Sequence, residues 1–257
     1  MLGAIAGDIV GSRFEGHRAP PAGFDLFHPD CRFTDDSVCT LAIADALLGD
    51  RDFASSLRSF VRRHPDRGYG GMFLRWAFTD GATAYGSWGN GAPMRVAAVG
   101  WLASDEAETL SLAAAQAAVS HDHPDAVAAA QAVASAIVRL RAGHPQDEVR
   151  RWVADTFCYD LRAEAAPVGG GFDVSAAGTV PPALTAAFDS SDWESAVRTA
   201  IGLGGDTDTL ACIAGAVAEA IHAVPDPIQA TARGHLTEDL RAVIDRVDAV
   251  LLPTRHG

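Results

Sequence analysis

Ala126-Val127-Ala128-Ala129-Ala130-Gln131-Ala132-Val133-Ala134-Ser135-Ala136 carries small or apolar side chains on nearly every face of a helix. Apolar residues recur at three- and four-residue spacing through most of the chain, and alternating strand-like runs are nearly absent, so the predicted fold class is all-α. Small residues on several faces, here and at 113–118, let helix backbones approach closely. No heptad pattern is sustained, and a compact multi-helix array follows rather than a long coiled coil. The periodicity places helices at about 2–11, 36–49, 52–63, 70–79, 93–103, 106–119, 124–142, 146–157, 180–188, 192–202, 208–223 and 233–252.

With 257 residues, 48% of them hydrophobic and 21% charged, the chain can bury one large core and is read as one domain over 1–257. The helical pattern is interrupted at 162–177, where Pro167 and Gly169-Gly170-Gly171 cannot continue a helix. A surface loop is expected there rather than a linker. His-Pro-Asp at 28–30, 64–66 and 123–125 has no fixed period and marks turns or helix starts, not a repeat architecture. The net charge is -13, from 33 acidic and 20 basic residues, with no run of Lys or Arg. An extended nucleic-acid surface is therefore not expected, although a local pocket can accept one modified nucleotide. Residues 1–11 are apolar but carry Asp8, lack a basic start and are too short to span a bilayer; they read as the first helix, with no membrane association. Cys31, Cys39, Cys158 and Cys212 form no C-x-x-C pair and fit buried thiols in a reducing compartment, so a cytoplasmic monomer is expected.

Two acid clusters far apart in sequence, Thr34-Asp35-Asp36 and Asp206-Thr207-Asp208-Thr209, each run into an apolar helical stretch. At a helix start the backbone N–H groups lack intrahelical partners, Thr or Asp caps them, and the next residues project from the first turn. One helix N-terminus favours a negative charge by only about 0.3 to 1 kcal/mol. Four carboxylates gathered there repel unless a cation lies among them. Carboxylates and Thr hydroxyls without supporting Cys are hard ligands, suited to Mg, Mn or Ca rather than Zn. Two independent N-caps, Thr34 and Asp206, would also account for each cluster taken singly.

Between the clusters lie two glycine-rich loops, Arg67-Gly68-Tyr69-Gly70-Gly71 and Gly86-Ser87-Trp88-Gly89-Asn90-Gly91. Glycine lets peptide N–H groups approach an anion with no side chain in the way, as in phosphate cradles at loop-to-helix junctions. Neither loop is a Walker A motif or a dinucleotide fingerprint, and either could simply be a tight connection. The second combines phosphate donors with a Trp surface on which a ring can stack. In His121-Asp122-His123-Pro124, histidines at i and i+2 do not share a helical face; capping by Asp122 and exposure of His123 are expected, while His121 could face a pocket. Asp8, inside an apolar helix, needs partners for its carboxylate.

In this order, Gly7-Asp8 with Gly11-Ser12 and Glu15, Thr34-Asp35-Asp36, Gly68-Tyr69-Gly70, the 86–91 loop with Met94-Arg95, His121, and Gly204-Gly205-Asp206-Thr207-Asp208-Thr209 resemble the ADP-ribosylglycohydrolase family over about residues 1–225. The resemblance implies an orthogonal bundle of helices around a binuclear centre of two divalent cations, Mg or Mn. It also implies cleavage of the N- or O-glycosidic bond at C1 of an ADP-ribosyl group. By position, Thr34, Asp35 and Asp36 would ligate the metals from one side and Asp206, Asp208 and Thr209 from the other. Glu15 matches a mobile glutamate near the scissile bond, Gly68, Tyr69 and Gly70 would join the substrate site, Gly86 to Gly91 would hold the diphosphate and distal ribose, and His121 would sit near the ligand. The chain departs from the animal members around 160–179, so the acceptor, an ADP-ribosylated protein, nucleic acid or small molecule, is left open.

The residues fit that chemistry on their own terms, since two cations can hold ribose hydroxyls, lower the pKa of a water and neutralise charge as the bond breaks. Catalytic carboxylates are expected among Glu15, Asp35 and Asp36, with Glu15 or a metal-bound aspartate such as Asp36 taking the water proton. A two-metal phosphohydrolase of nucleoside diphosphate sugars would use the same carboxylates, and a crystallin-like ADP-ribose-binding protein would keep the fold without the reaction.

Overall fold

The computed structural model describes residues 1–17, 20–21, 23–162 and 171–251. Among them are thirteen α-helices and no β-strand beyond an isolated bridge between Gly89 and Ser175. They are α1 (Leu2–Gly11), followed by a single 3₁₀ turn (Ser12–Phe14), α2 (Asp35–Leu47), α3 (Phe53–Arg63), α4 (Gly71–Phe78), α5 (Ala97–Leu102), α6 (Glu106–Ala118) and α7 (Pro124–Arg141). Then come α8 (Gln146–Phe157), α9 (Ala176–Phe188), α10 (Trp193–Gly202), α11 (Thr207–Ile221), α12 (Asp226–His235) and α13 (Glu238–Leu251). No described helix is long and apolar enough to cross a membrane.

The central pair is α1 and α11, antiparallel and in near backbone contact. Added Cβ atoms would lie 2.4 Å from Gly215 O on Gly3, 2.0 Å from Ala211 O on Gly7 and 2.4 Å from Thr207 O on Gly11. Glycine at every fourth position of α1 therefore sets the crossing distance, because any side chain would meet a carbonyl oxygen rather than a movable neighbour. This pairing brings the first turn of α11 to the C-terminal end of α1. Packed beside it, α2 also contacts α3, α5 and α13, and its own first turn lies at the same end. The alanine-rich α7 packs on α5, α6, α8, α9 and α11. Its approach to α5 is close enough that a Cβ on Gly100 would meet Ile137 at 2.6 Å. A buried core runs from Ile5 and Ile9 through Leu41, Ile43, Leu57, Leu184 and Ile213 to Leu240.

Several sequence expectations need correction. α9 begins at Ala176 rather than 180, because Ser175 caps it by accepting from Gly178 N at 2.9 Å and the helix then runs through Pro181 and Pro182. The span expected at 233–252 is the end of one helix and the whole of another: α12 starts at Asp226-Pro227, where proline suits a first turn, and the chain is extended at Leu236 before α13. The helix expected at 93–103 is confined to Ala97–Leu102. His123, not Asp122, caps α7, its Nδ1 accepting from Asp125 N at 3.2 Å. The Asp122 carboxylate instead accepts from Gly86 N at 2.7 Å and so anchors the second glycine loop. Cys158 is exposed, in the left-handed conformation that ends α8, while the other three thiols are buried. Pro167, Gly169 and Gly170 lie outside the described residues.

Candidate active site

The two acid clusters meet. Thr34 and Asp206 are the N-caps of α2 and α11, and the pairing of α1 with α11 beside α2 sets these two helix starts together. Ligand oxygens of Asp8, Asp36 and Asp208 lie within 4.8 Å of one another, as do those of Glu15, Asp206 and Asp208. Asp208 belongs to both groups. Thr209 Oγ1 donates to Asp36 Oδ2 at 3.3 Å, joining α11 to α2 directly.

The N-cap account holds for only one of the two clusters. Thr34 Oγ1 accepts from Asp36 N at 3.3 Å, but the Asp206 side chain makes no capping bond to its own helix. Its carboxylate accepts instead from Asn90 Nδ2 at 2.6 Å, which ties α11 to the second glycine loop. Asn90 Nδ2 also reaches Thr179 Oγ1 at 3.1 Å.

Asp8 explains how Thr34 is held. Its carboxylate accepts from Thr34 N at 3.0 Å and Thr34 Oγ1 at 2.5 Å, and also from Ser37 N at 3.1 Å and the Ser37 hydroxyl. The Thr34 hydroxyl proton is thus directed toward Asp8. Burial raises the Asp8 carboxyl above the usual range, and these four bonds oppose the rise.

Around Asp8 the carboxyls are unsettled. Burial, with the charges of neighbouring carboxylates added, holds Asp35, Asp36 and Asp208 well above the usual range. Glu15, half-buried, is raised by burial and by Asp206, with Arg32 acting against the rise. Asp36 Oδ1 is buried without a hydrogen-bond partner among the described residues. An unpartnered buried carboxylate oxygen is costly, and hard cations are what a cluster of such oxygens accommodates. The donor set therefore fits divalent metal.

A cavity of about 640 Å³ leads away from this cluster. Glu15, Asp35, Asp36, Asp206, Asp208 and Thr209 line one part of it, and Gly68, Gly70 and the whole 86–91 loop line another. Gly68, at φ +98°, faces Asp35: a Cβ there would lie 3.2 Å from Asp35 Oδ1. Tyr69 and Thr34 do not reach the wall. Tyr69 is buried beside Phe73, with ring centroids 6.0 Å apart, and its hydroxyl has no partner among the described residues.

His121 does line the cavity, nearly buried, with Nδ1 2.8 Å from Ser120 Oγ. Burial, and then the Arg95 charge, push its pKa well below the usual value, so it is neutral at physiological pH. It packs so tightly on the loop that a Cβ on Gly91 would sit 2.6 Å from its Nε2. Arg95, wholly buried, donates to Gln116 Oε1 at 2.7 Å and to Ser120 Oγ at 3.1 Å, and so supports that imidazole.

Some wall residues escaped the sequence reading. Phe172 and Val174 flank the cavity, and 172–176 is zipped to the glycine loop by Asn90 N donating to Val174 O at 2.8 Å and Ala176 N donating to Trp88 O at 3.0 Å. The only signal was that 160–179 departs from the family pattern. Trp88 and Phe172 are each 54% exposed, so both rings are open for stacking.

Known proteins resemble this chain along nearly all of its length. ADP-ribosylhydrolase ARH3 of Homo sapiens is 25% identical over 331 aligned positions, covering 94% of this chain and 90% of the human protein. ARH3 of Mus musculus is also 25% identical, covering 94% of this chain and 88% of its own length. A solved structure described as an ADP-ribosylglycohydrolase-related protein complex superposes with a TM-score of 0.74 at 25% identity, covering 98% of this chain and 96% of that one. The sequence profile of the ADP-ribosylglycohydrolase family, a metal-dependent family, matches residues 1–255, and the chain accordingly belongs to that family as a hydrolase of ADP-ribose linkages.

Proposed function

We propose that the acid cluster is a binuclear centre for Mg or Mn, and that the cavity beside it seats the ADP-ribosyl group of an ADP-ribosylated acceptor with its C1 atom next to Glu15. The carrying observation is that Asp208 is common to two carboxylate groups, one with Asp8 and Asp36 and one with Glu15 and Asp206, in the wall of a cavity large enough for a nucleotide. Asp36, Asp208, Asp206, Asp35, Thr34 and Thr209 would hold the metals, with Asp8 orienting the Thr34 hydroxyl. Bound cations would supply charge neutralisation at the ribose hydroxyls and lower the pKa of a water.

The chain's own groups do the rest. The peptide N–H groups of the 86–91 loop offer donors to the diphosphate, and Asn90 holds both that loop and Asp206 in register. Trp88 and Phe172 give the base a surface for stacking. Neutral His121 packs behind Gly91 and keeps the loop's shape. Glu15, with a carboxyl raised by burial, takes the proton of the water that adds to C1, while the bond from C1 to the acceptor breaks. As one domain acting as a monomer in the cytoplasm, the protein would return an acceptor to its unmodified state.

The test is a panel of defined ADP-ribosylated acceptors incubated with Mg or Mn, with products separated by chromatography. Free ADP-ribose marks glycosidic cleavage, whereas AMP marks attack at phosphorus and refutes this reading. Glu15→Gln should retain ADP-ribose binding by calorimetry while hydrolysis falls by about 10²- to 10⁴-fold, the range typical of general acid–base groups. Normal hydrolysis by that variant would move the proton-accepting role to a cluster aspartate.

A further inference from the structure

The two ring nitrogens of His121 meet different surroundings. The Cδ2–Nε2–Cε1 edge lies on the second glycine loop: an added Cβ on Gly91 would sit 2.6 Å from Nε2 and 2.9 Å from Cε1, and one on Gly89 would sit 3.9 Å from Cδ2. Nε2 makes no hydrogen bond with a described residue, and the side chain lines the large cavity although the residue is only 6% exposed. Nδ1, on the other side of the ring, lies 2.8 Å from Ser120 Oγ. Phe73 and Tyr85 flank the imidazole, with ring centroids at 5.9 and 5.8 Å.

The donor count at Ser120 fixes where the imidazole proton sits. Arg95 can only donate, so Ser120 Oγ accepts from its Nη2 at 3.1 Å. Ser120 is wholly buried, and a buried hydroxyl proton left unpaired is costly. That proton therefore goes to His121 Nδ1, which accepts it. Because the folded His121 is neutral, its one ring proton is then on Nε2, the atom at the glycine loop. An unanswered charge stands behind this chain of bonds. Arg95 is wholly buried, its acceptors Gln116 Oε1, Gln116 O and Ser120 Oγ are all uncharged, and its Nη1 has no partner among the described residues.

We propose that Arg95 and Ser120 are positioning residues that hold His121 as an Nε2–H donor, and that this N–H takes an oxygen of the ligand's diphosphate where it lies along Gly89–Gly91. This rests on the reading that the cavity seats the ADP-ribosyl group. The diphosphate answers the buried charge of Arg95 through Ser120 and the imidazole rather than by contact, and hydrogen bonds in such a chain polarise one another. A peptide N–H of the loop can serve any acceptor, whereas an imidazole donor backed by a buried cation favours a charged one.

The experiment isotope-labels the histidine ring nitrogens of the full chain and reads their tautomers by NMR, with His121→Gln assigning the signal. The ligand-free protein should show His121 protonated on Nε2 alone, and that N–H signal should move when ADP-ribose and Mg are added. An Nδ1–H tautomer, or a signal that bound ADP-ribose leaves in place, overturns the proposal. Calorimetry then compares affinities. Ser120→Ala, which spares the bonds of Arg95 to Gln116, should bind ADP-ribose about tenfold more weakly, the loss expected of one hydrogen bond to a charged acceptor, and Ser120→Thr should restore binding. Adenosine, which lacks the diphosphate, should bind the native protein and Ser120→Ala alike. Equal ADP-ribose affinity in the native protein and Ser120→Ala overturns the proposal. An equal loss for adenosine, or a folded Ser120→Thr as weak as Ser120→Ala, overturns it as well, since either leaves only packing of the loop. Melting curves with and without Mg establish folding, and the native tautomer decides the matter should Ser120→Ala fail to fold. No binding of ADP-ribose by the native protein in Mg would instead overturn the underlying reading of the cavity, which the tautomer of the ligand-free protein does not depend on.

Discussion

Gly7→Ala adds one methyl group at the narrowest point between α1 and α11. The new Cβ would lie 2.0 Å from Ala211 O, 2.6 Å from Ala211 C and 3.0 Å from Cys212 N, all backbone atoms. Ordinary contact begins near 3.4 Å, so α11 must retreat by about 1.4 Å, the difference between 3.4 and 2.0 Å. Overpacking a core commonly costs about 1–3 kcal/mol, and the rigid obstacle puts this site at about 3. At about 2–4 °C per kcal/mol for a chain of this size, the melting temperature should fall by about 6–12 °C. Because the first turn of α11 carries Asp206, Asp208 and Thr209, the rise in melting temperature produced by Mg should shrink as well. Gly202→Ala is the matched control: it lies at the end of α10 with nothing within 4 Å of its added Cβ, and replacing a helical glycine there should be neutral or gain up to about 1 kcal/mol. Differential scanning calorimetry of the three proteins, with and without Mg, decides the matter. A Gly7→Ala protein melting within 2 °C of wild type (roughly the effect of 1 kcal/mol) with an undiminished Mg response would refute the inference that this crossing sets the site.

Mg or Mn at about 100 times its dissociation constant should stabilise the native chain by about 2.7 kcal/mol, a response that Asp36→Asn and Asp208→Asn should abolish; identical melting curves with and without metal would contradict the binuclear reading. Both variants should also lose turnover, and the loss of carboxylate crowding should leave their metal-free forms no less stable than wild type. His121, neutral when folded, binds a proton in the unfolded chain below its ordinary pKa of 6.5, so its contribution is complete above that pH and is lost as pH falls toward its depressed folded value. Relative to His121→Gln, wild type should therefore lose stability more steeply between about pH 6.5 and 5, by at most about 1.4 kcal/mol per pH unit; parallel urea-denaturation curves would refute the buried neutral imidazole.

Much of this molecule is legible in its residues because helix spacing and helix starts are local signals. The boundaries of α1, α6, α7 and α8 follow from apolar periodicity within a residue or two, and Thr34 caps α2 as its sequence context requires. The failures come from contacts made at long range. Asp206 has every local mark of a capping residue, yet Asn90, 116 positions away, takes its carboxylate. Asp122 is likewise drawn off to Gly86. The break at Leu236–Thr237 is marked only by Gly234 before it and by Thr237 ahead of Glu238-Asp239, a short stop-and-cap signal that the apolar spacing on both sides hides. Asp8 was marked by its apolar surroundings as needing partners, but that those partners are Thr34 and Ser37 depends on how α1 meets α2. The role of 172–176 as cavity wall is carried by backbone bonds, which any side chains would permit.

The glycine ladder between α1 and α11 also sets a timetable. Gly7 is made early, and Ala211, the residue it must touch, emerges about 200 residues later, which at about 5–20 residues per second is a wait of roughly 10–40 seconds on a ribosome. During that interval α1 has no backbone surface to seat its bare face, and Asp8 and Asp36 have no Asp208 opposite them. Metal therefore cannot template the early stages of folding; it can only lock the chain after its closing pair has met. Contacts of such separation also slow folding after release. A nascent chain stalled before residue 207 should therefore leave α1 available to chaperones.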